Sequence, residues 1–281
     1  MKTQREKAES FRALHARAGA FVIPNPWDAG SARLLEGLGF EALATTSAGF
    51  ANTLARLDGQ VTRDDVLEHC RQLSAATDLP VSADLENCFA HDPSEAAETL
   101  VLAARAGVVG GSIEDYTGDP SNPIYDFNLA VERVRVAAEA TRTLDFPFML
   151  TARAENLIRG RNDLDDTVRR LQAFEAAGAD VLYAPGLRTL DEVRRVASAL
   201  GKPLNVLGPL IEGATVAQLA EAGARRISTG GALARAAVTA LLRAGAEMLD
   251  GGSFGWTSEL ASSAEVGRLL GAASDSRRGS R

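Results

Sequence analysis

The segment PVSADLENCFAHD (residues 80–92) places several reactive side chains directly after an apolar, β-branched run. Asp84 and Glu86 are two positions apart, so on an extended strand both carboxylates point to the same side. Such carboxylates are hard oxygen ligands suited to Mg²⁺ or Mn²⁺, which keep several of their waters. Cys88 and His91 follow within a few residues and could belong to the same chemistry.

The rest of the chain supplies elements that would position such a site. Short β-rich runs alternate with longer Ala-, Leu- and Arg-rich helical runs, which is typical of parallel βα units. The predicted strands are residues 21–25, 41–47, 80–86, 108–115, 146–155, 179–186, 202–208 and 224–231. The first helices are expected near residues 29–38, 62–76 and 94–106. Eight strands, each followed by a helix, predict an α/β fold of the closed (β/α)8 TIM barrel type.

The domain organisation predicted from this pattern is simple. The barrel domain covers residues 1–250, a C-terminal helical extension covers 251–272, and 273–281 form a disordered tail. Two connections, 49–62 and 116–126, are long and follow carboxyl ends of strands, where barrels keep their active sites. Both are therefore candidate lids.

Composition and charge limit the classes of function. The 281 residues suit one large domain or two small ones, and a net charge of −7 disfavours a general nucleic-acid binder. Two cysteines are too few for a disulfide framework, which favours a reducing compartment. Residues 1–19 lack the apolar stretch of a secretion signal, and no segment is long and apolar enough to span a bilayer. We predict a cytoplasmic protein that binds neither nucleic acid nor membrane.

The acidic residues at strand ends have two interpretations, because a strand end is also where the next helix begins. Asp28 directly precedes a predicted helix, and for it a helix cap and a functional role are equally favoured. Glu is a poor cap, and Asp84, Glu86 and Glu114 lie well before their helices. For these three acids we favour function.

Elimination narrows the chemistry. A Schiff-base aldolase needs a lysine at the carboxyl end of a strand, whereas Lys202 begins the seventh strand. Three histidines are too few and too scattered for a zinc site. A carboxylate-lined pocket remains, in which a Mg²⁺ or Mn²⁺ ion could hold a 2-oxo acid and stabilise an enolate when a neighbouring bond breaks. Arg153 could offset a substrate carboxylate, and an ion pair with Glu155 on the same strand face is compatible with that role. Asn205 is a further strand-end candidate.

The glycine-rich STGGALAR (residues 228–235) also has two interpretations. A helix N-terminus after the eighth strand binds phosphate in many barrels. A tight βα turn explains the same glycines, and without a longer glycine pattern we prefer it.

Several segments together resemble the isocitrate lyase/phosphoenolpyruvate mutase superfamily over residues 24–234. They are NPWDAGSARLLEGLGFEALATTSAGFA, PVSADLEN, GVVGGSIED, TARAE, EAGADVLYAPG and RRISTGGAL. The resemblance implies a modified barrel whose eighth helix is swapped between subunits, in homodimers that pair into homotetramers. It also implies Mg²⁺ and enolate chemistry on small 2-oxo or 2-hydroxy acids. Members cleave C–C bonds, hydrolyse or decarboxylate oxaloacetate, or make and break the C–P bond of phosphonopyruvate.

The resemblance also implies roles for individual residues. Substrate-binding roles fall on Trp27, Thr46, Ser47, Ala48 and Arg153, the acid of the gating region is Asp58, and metal-shell carboxylates are Asp84 and Glu114. Ser82 replaces the first acid of the family's Asp-Ala-Asp, and Glu86 is an additional acid. The implied metal ligands are therefore Asp84, Glu86 and Glu114, largely through water.

The loop YTGDPSNPIYD (residues 116–126) departs from the family. It lacks the Lys-Cys-Gly-His run of the lyases, whose Cys protonates the product, and it lacks the Lys of the phosphonopyruvate enzymes. Cys88 with His91, or alternatively Tyr116 or Tyr125, could replace the missing acid. A free Cys is more often a small buried hydrophobe, and His91 before Asp-Pro is typical of a loop or cap.

We therefore expect a Mg²⁺-dependent lyase that breaks a C–C bond of a small 2-oxo or 2-hydroxy (di)carboxylic acid. In this hypothesis Asp58 orients the reacting group, and Arg153 and Glu114 complete the catalytic set. Oxaloacetate, methylisocitrate and dimethylmalate represent the expected substrates. One alternative is a phosphonopyruvate mutase or hydrolase, and another is a member that binds an oxo acid without turning it over.

Overall fold

A computed structural model describes residues 2–278 of the chain. Its parallel strands form one sheet in the order β1-β8-β7-β6-β5-β4-β3-β2. The strands are β1 Phe21–Ile23, β2 Leu43–Ala44, β3 Val81–Ala83, β4 Gly110–Glu114, β5 Met149–Arg153, β6 Val181–Tyr183, β7 Leu204–Leu207 and β8 Ala224–Ser228. The amide of Ala44 donates to the carbonyl of Pro24 at 3.1 Å and links the two edge strands. The protein is therefore a nearly closed (β/α)8 TIM barrel, and each strand lies within its predicted range.

Helices surround the sheet. They are α1 Gln4–Ala16, α2 Ala29–Gly37, α3 Ser47–Thr53, α4 Arg63–Ala76, α5 Pro93–Arg105, α6 Phe127–Thr141, α7 Leu164–Ala177, α8 Leu190–Ser198, α9 Val216–Glu221, α10 Ala232–Ala246 and α11 Ser263–Arg278. The three helices whose positions were predicted are confirmed. Helix α1 was not predicted, and α3 begins the connection predicted as a lid loop. Among the described residues, none of the helices has the length and hydrophobicity that a bilayer span requires.

Helix α1 closes the amino-terminal end of the barrel. Its start is a capping box between Thr3 and Glu6. Phe11 and His15 are four residues apart and both buried, and the Phe11 ring meets the Phe21 ring edge to face at 6.5 Å. This apolar plug leaves the carboxyl ends of the strands as the open end, where barrel enzymes carry their sites.

The C-terminal helices differ in how they pack. Helix α11 lies against α2, where Arg33 donates to the carbonyl of Leu270 at 2.5 Å. Helix α10 exposes apolar side chains instead: Leu241 is 71% and Leu242 is 66% exposed. Since α11 continues to Arg278, the predicted boundary between an extension and a tail at residue 272 coincides with no element end. Residues 279–281 lie outside the described part of the chain.

Candidate active site

Arg153, the last residue of β5, is the centre of the site at the open end of the barrel. Its Nη1 lies 2.9 Å from Asp84 Oδ1, and its Nη2 lies 3.2 Å from Glu114 Oε2 and 2.9 Å from Glu155 Oε1. Burial alone would lower the pKa of Arg153, but the three carboxylates outweigh it and raise that pKa. The predicted pair with Glu155 is confirmed, and it coexists with two further ion pairs.

Two cavities meet at Arg153. The inner cavity, of about 200 Å³, extends into the barrel, and Asp84 is part of its wall. The acidic cavity, of about 350 Å³, lies beneath the loops after β3 and β4 and is lined by Glu86, Glu114 and Arg159 among others. Arg153, Ser47 and Asp58 line both cavities. A molecule bound where the two cavities meet would therefore contact residues of both.

Asp84 and Glu114 contact different nitrogens of the guanidinium, Nη1 and Nη2 respectively. Asp84 Oδ2 accepts the Ser47 amide at 3.2 Å, and its Oδ1 accepts the Ser112 hydroxyl at 3.4 Å. Glu114 is 4% exposed, and burial raises its pKa well above the usual range although Arg153 opposes the shift. The two acids therefore line different cavities, and Arg153 connects them.

Glu86 lies in a strained loop and lacks a partner for one oxygen. Its φ is +51°, and Cys88 and Phe89 have φ values of +59° and +57°. Residues other than glycine rarely adopt this left-handed region, and strain of this kind concentrates at functional sites. Glu86 Oε1 is buried without a hydrogen bond. Burial, then Asp84 and Asp58, raise the pKa of Glu86 to about 7.

Arg133 holds this loop in place, a role that sequence reasoning missed. It is 1% exposed, and its guanidinium donates to the carbonyls of Asn87, Ala90 and His91 at 2.6–2.7 Å. Its guanidinium carbon lies 4.5 Å from the centre of the Tyr125 ring. An arginine in the middle of a helix gives no sequence signal for such a role.

Cys88 and His91 have different partners in the structure. Cys88 is fully buried, its Sγ lies 3.6 Å from the Ser112 carbonyl oxygen, and burial raises the pKa of its thiol to about 12. His91 Nδ1 lies 2.6 Å from the Tyr125 hydroxyl. Neither Cys88, His91 nor Tyr125 is among the described residues that line the two cavities. The favoured structural interpretation of Cys88 and His91 agrees with this geometry.

Tyr116 and Arg159 line the acidic cavity together. The Arg159 guanidinium carbon lies 3.6 Å from the centre of the Tyr116 ring, and its Nη2 lies 3.3 Å from Glu155 Oε2. Of the four side chains considered for the missing acid, Tyr116 is the one that faces the acidic cavity. Arg159 was missed because nothing in the run NLIRGRND distinguishes it from a surface arginine.

Two acids at strand ends have structural roles. Asp28 is exposed and caps α2, where its Oδ1 accepts the Ser31 amide at 2.7 Å. Asp115 is buried, forms a 3.1 Å ion pair with Arg170 and accepts the Glu155 amide at 2.7 Å. Of the two interpretations of Asp28, the structure therefore supports the helix cap.

The predicted substrate-binding residues are only partly brought together. Thr46, Ser47, Ala48 and Asn205 line the inner cavity. Trp27 is outside the described lining of both cavities, and its carbonyl lies 3.0 Å from His69 Nε2. Substrate contact by Trp27 stays a prediction.

Asn25, which follows β1 and which sequence reasoning missed, holds the glycine-rich turn after β8 through its side chain. Its Oδ1 accepts the amides of Thr229 and Gly230 at 2.9 Å each, and its Nδ2 donates to the Thr45 carbonyl at 2.8 Å. These turn amides are therefore already paired, which supports the tight turn over a phosphate site. The same side chain links the first strand to the second and the eighth.

The acidic cavity offers oxygen donors of the kind that a divalent cation binds. Glu86 lines a cavity whose other acids are Asp58 and Glu114, its Oε1 lacks a hydrogen-bond partner, and carboxylate oxygens suit Mg²⁺. Among the described residues, no three acidic, His or Cys side chains converge as direct ligands. The site therefore fits an ion that keeps much of its water, and the set of Asp84, Glu86 and Glu114 stays a prediction.

Comparison with known proteins places the chain in a family. Residues 11–249 match the sequence family described as phosphoenolpyruvate phosphomutase. The chain belongs to the phosphoenolpyruvate mutase/isocitrate lyase superfamily. The resemblance drawn from its motifs is therefore confirmed.

Individual relatives agree with this placement. The 2-methylisocitrate lyase of Escherichia coli K12 is 30% identical over 205 residues, which cover 70% of this chain and 68% of the relative. The oxaloacetate decarboxylase of Chromohalobacter salexigens is 29% identical over 209 residues, covering 72% and 71%. The crystal structure of a "putative lyase/mutase" from Burkholderia cenocepacia J2315 is 54% identical with a TM-score of 0.92, covering 95% and 96%. The chain is an enzyme of a superfamily with lyase and mutase activities.

Proposed function

We propose that this enzyme is a Mg²⁺-dependent lyase that breaks a C–C bond of a small 2-oxo or 2-hydroxy (di)carboxylic acid through an enolate. The observation that supports it most directly is the position of Arg153, which joins the inner cavity to the acidic cavity and contacts three carboxylates. A guanidinium there can bind a substrate carboxylate while the neighbouring acids attract a cation.

The charge balance of the acidic cavity favours a cation. Asp58, Glu86 and Glu114 line it, and two further carboxylates contact its arginines, so five acids face two guanidiniums. Burial raises the pKa values of Glu86 and Glu114, and a cation bound between these acids would favour their charged forms. Asp84, Glu86 and Glu114 would hold Mg²⁺, or Mn²⁺, largely through water. The bound ion would supply a Lewis acid that stabilises charge on the substrate oxygens.

The protein groups then have separate tasks. Arg153 orients the substrate carboxylate, and its own position is fixed by Asp84, Glu114 and Glu155. Asp58 belongs to the exposed segment after α3 and lines both cavities, from where it would orient the reacting group. Tyr116 faces the acidic cavity and is the side chain we assign to protonation of the product.

A substrate panel tests the proposal. Oxaloacetate, 2-methylisocitrate and 2,3-dimethylmalate should be compared with phosphonopyruvate in the presence of Mg²⁺, with product formation followed by NMR. Turnover of a carboxylic acid with C–C cleavage supports the proposal. Turnover of phosphonopyruvate alone would favour the second candidate, C–P chemistry, which the match to the phosphomutase family supports. Saturable oxalate binding without any product would indicate a binding protein.

We also propose that α10 is swapped between subunits in a homodimer, or in a homotetramer built from dimers. The helix buries only Ala234 and Ala244 among its described residues. Leu241, Leu242 and Val238 are exposed, although an eighth barrel helix normally buries an apolar face. A neighbouring barrel would cover these side chains.

A further inference from the structure

The inner cavity is unusually polar for the interior of a barrel. Inward-facing residues of TIM barrels are mostly Val, Ile and Leu. Here buried polar side chains from five strands line the cavity, namely Ser82, Ser112, Thr151, Asn205 and Arg226. A polar interior of this kind is costly unless its groups are paired, so the partners of each group are informative.

Arg226 is incompletely paired. The side chain is inside the barrel and 5% exposed, and its Nε donates to Asn205 Oδ1 at 2.8 Å. Its Nη1 is buried without a hydrogen-bond partner, and the same is true of Thr151 Oγ1 in the same cavity. Among the described residues, no carboxylate forms an ion pair with Arg226, whereas Arg153 has three such pairs.

The incomplete pairing of Arg226 is unfavourable for the protein without a bound ligand. Burial, and to a smaller extent Arg153, lowers the pKa of Arg226 to about 10, so the guanidinium stays charged at neutral pH. An uncompensated buried cation with a free donor is destabilising unless a ligand supplies the missing charge. Asn205, itself bound to Ser228 Oγ at 3.0 Å, fixes the Nε edge and leaves the terminal nitrogens for that ligand.

We infer that Arg226 binds a second anionic group of the substrate inside the barrel, at a subsite separate from the carboxylate subsite at Arg153. The Thr151 hydroxyl is the second donor of this subsite. A cavity of about 200 Å³, which corresponds to about seven water molecules, accepts a short dianion and excludes larger acids. The inference rests on the proposed function for the group bound at Arg153, and it selects dianions over monoanions as substrates.

Equilibrium binding of two ligand pairs tests this subsite: lactate against malate, and lactate against 3-phosphonolactate. Lactate and malate share a 2-hydroxy acid and differ by one carboxylate, and 3-phosphonolactate carries a phosphonate in its place. Isothermal titration calorimetry with Mg²⁺ would compare the wild type with Arg226→Met, Arg226→Lys and Arg225→Met. Arg225 is the adjacent arginine and is exposed on the other side of β8, which makes it a matched control.

The wild type should bind at least one dianion more tightly than lactate. In Arg226→Met that preference should fall by about 10- to 100-fold, because a buried charge-assisted hydrogen bond is lost. Lactate affinity should change less than about twofold. Arg225→Met should retain the preference, and Arg226→Lys should retain part of it. The dianion that loses more affinity identifies the second group as a carboxylate or a phosphonate.

Other results would overturn the inference. They are an equal loss of lactate and dianion affinity in Arg226→Met, an unchanged preference in that variant, or the same loss in Arg225→Met. If Arg226→Met does not fold, Arg226→Lys and the wild type decide, and a wild type without preference for either dianion rejects the subsite. A failure of the proposed function would be recognised separately. If dianion selectivity depends on Arg226 but no substrate undergoes C–C cleavage, the Arg226 subsite is supported and the lyase function is rejected.

Discussion

Arg153 and Asp84 form an ion pair at the junction of the two cavities, with 2.9 Å between Nη1 and Oδ1. Asp84 directly follows β3 and Arg153 ends β5, so the pair reaches across β4, which contributes Glu114. The Arg153 guanidinium therefore contacts acids from two strand ends and also lines the inner cavity.

Asp84→Asn should lower kcat/KM by about 100- to 1000-fold, because the variant removes a charge that positions both Arg153 and the proposed ion. Steady-state kinetics on the substrate found in the panel would measure the loss. Asp28→Asn is the matched control: Asp28 is an exposed helix cap, and Asn caps helices as well as Asp. Comparable activity of the two variants would contradict a central role for Asp84.

Removal of divalent cations should abolish turnover. After treatment with EDTA and desalting, activity should return on addition of Mg²⁺ or Mn²⁺, since both ions prefer carboxylate and water oxygens. Glu86→Gln should raise the Mg²⁺ concentration needed for half-maximal activity, because it replaces the unpaired carboxylate by a neutral amide. Full activity in EDTA would reject the metal dependence.

Cys88→Gly should keep kcat within about threefold of the wild type, because the thiol is buried against a carbonyl and outside both cavities. The backbone supports the exchange, since φ at this position is +59° and glycine adopts that conformation without strain. A loss above 100-fold with unchanged Mg²⁺ dependence would instead make the thiol a reacting group.

His69 should make stability depend on pH. It is buried, stacks on Phe50 at 3.9 Å, and burial lowers its pKa to about 4. In the unfolded chain His69 takes up a proton near pH 6.5. The contribution of neutral His69 to the free energy of unfolding is therefore complete above that pH and is lost as the pH falls toward 4. From pH 8 to pH 5, the wild type should lose about 2 kcal/mol more free energy of unfolding than His69→Gln.

Urea titrations at the two pH values would measure this difference. The pH 8 comparison isolates the packing change, because His69 is neutral in both states there. Carboxyl groups with raised pKa values make the folded protein more stable as the pH falls. They are present in both the wild type and His69→Gln, so their effect cancels in the comparison. Parallel pH dependence in the wild type and His69→Gln would show that His69 titrates normally in the folded protein.

Helix α10 should govern assembly. The double variant Leu241→Glu and Leu242→Glu places two charges on side chains that are 71% and 66% exposed in a single chain. If a partner covers this face, the charges should lower the molar mass measured by light scattering after gel filtration. Leu38→Glu, at a residue 61% exposed at the end of α2, is the control. An unchanged mass in the double variant would reject the helix swap.

Much of the fold was predictable because its signals are local. Each strand is a short apolar run between helical runs, and each predicted strand contains the observed one. Helix α3 was missed because the strand-like residues 41–47 lead directly into it, and its N-cap Thr46 was assigned to the strand. Helix α1 was missed because it precedes the first strand and so lies outside the strand–helix alternation that predicted the other elements.

The site was predictable in its chemistry and only partly in its geometry. Asp84, Glu86 and Glu114 were recognised because acids that lie before a helix and cannot cap it need another explanation. Arg133 and Arg159 carry no such signal, since their roles depend on which carbonyls, rings and acids surround them. The left-handed backbone at Glu86 and Cys88 is likewise held by groups distant in the chain.

The sequence by itself determined the barrel, the superfamily and the acidic character of the site, because strand periodicity and motif spacing are properties of neighbouring residues. Only the tertiary structure decided which charges are paired. Arg153 and Arg226 both follow the pattern of inward-facing strand residues, yet one meets three carboxylates and the other meets Asn205. That difference arises because burial makes each charge depend on its immediate neighbours, and folding brings those neighbours together from distant parts of the chain.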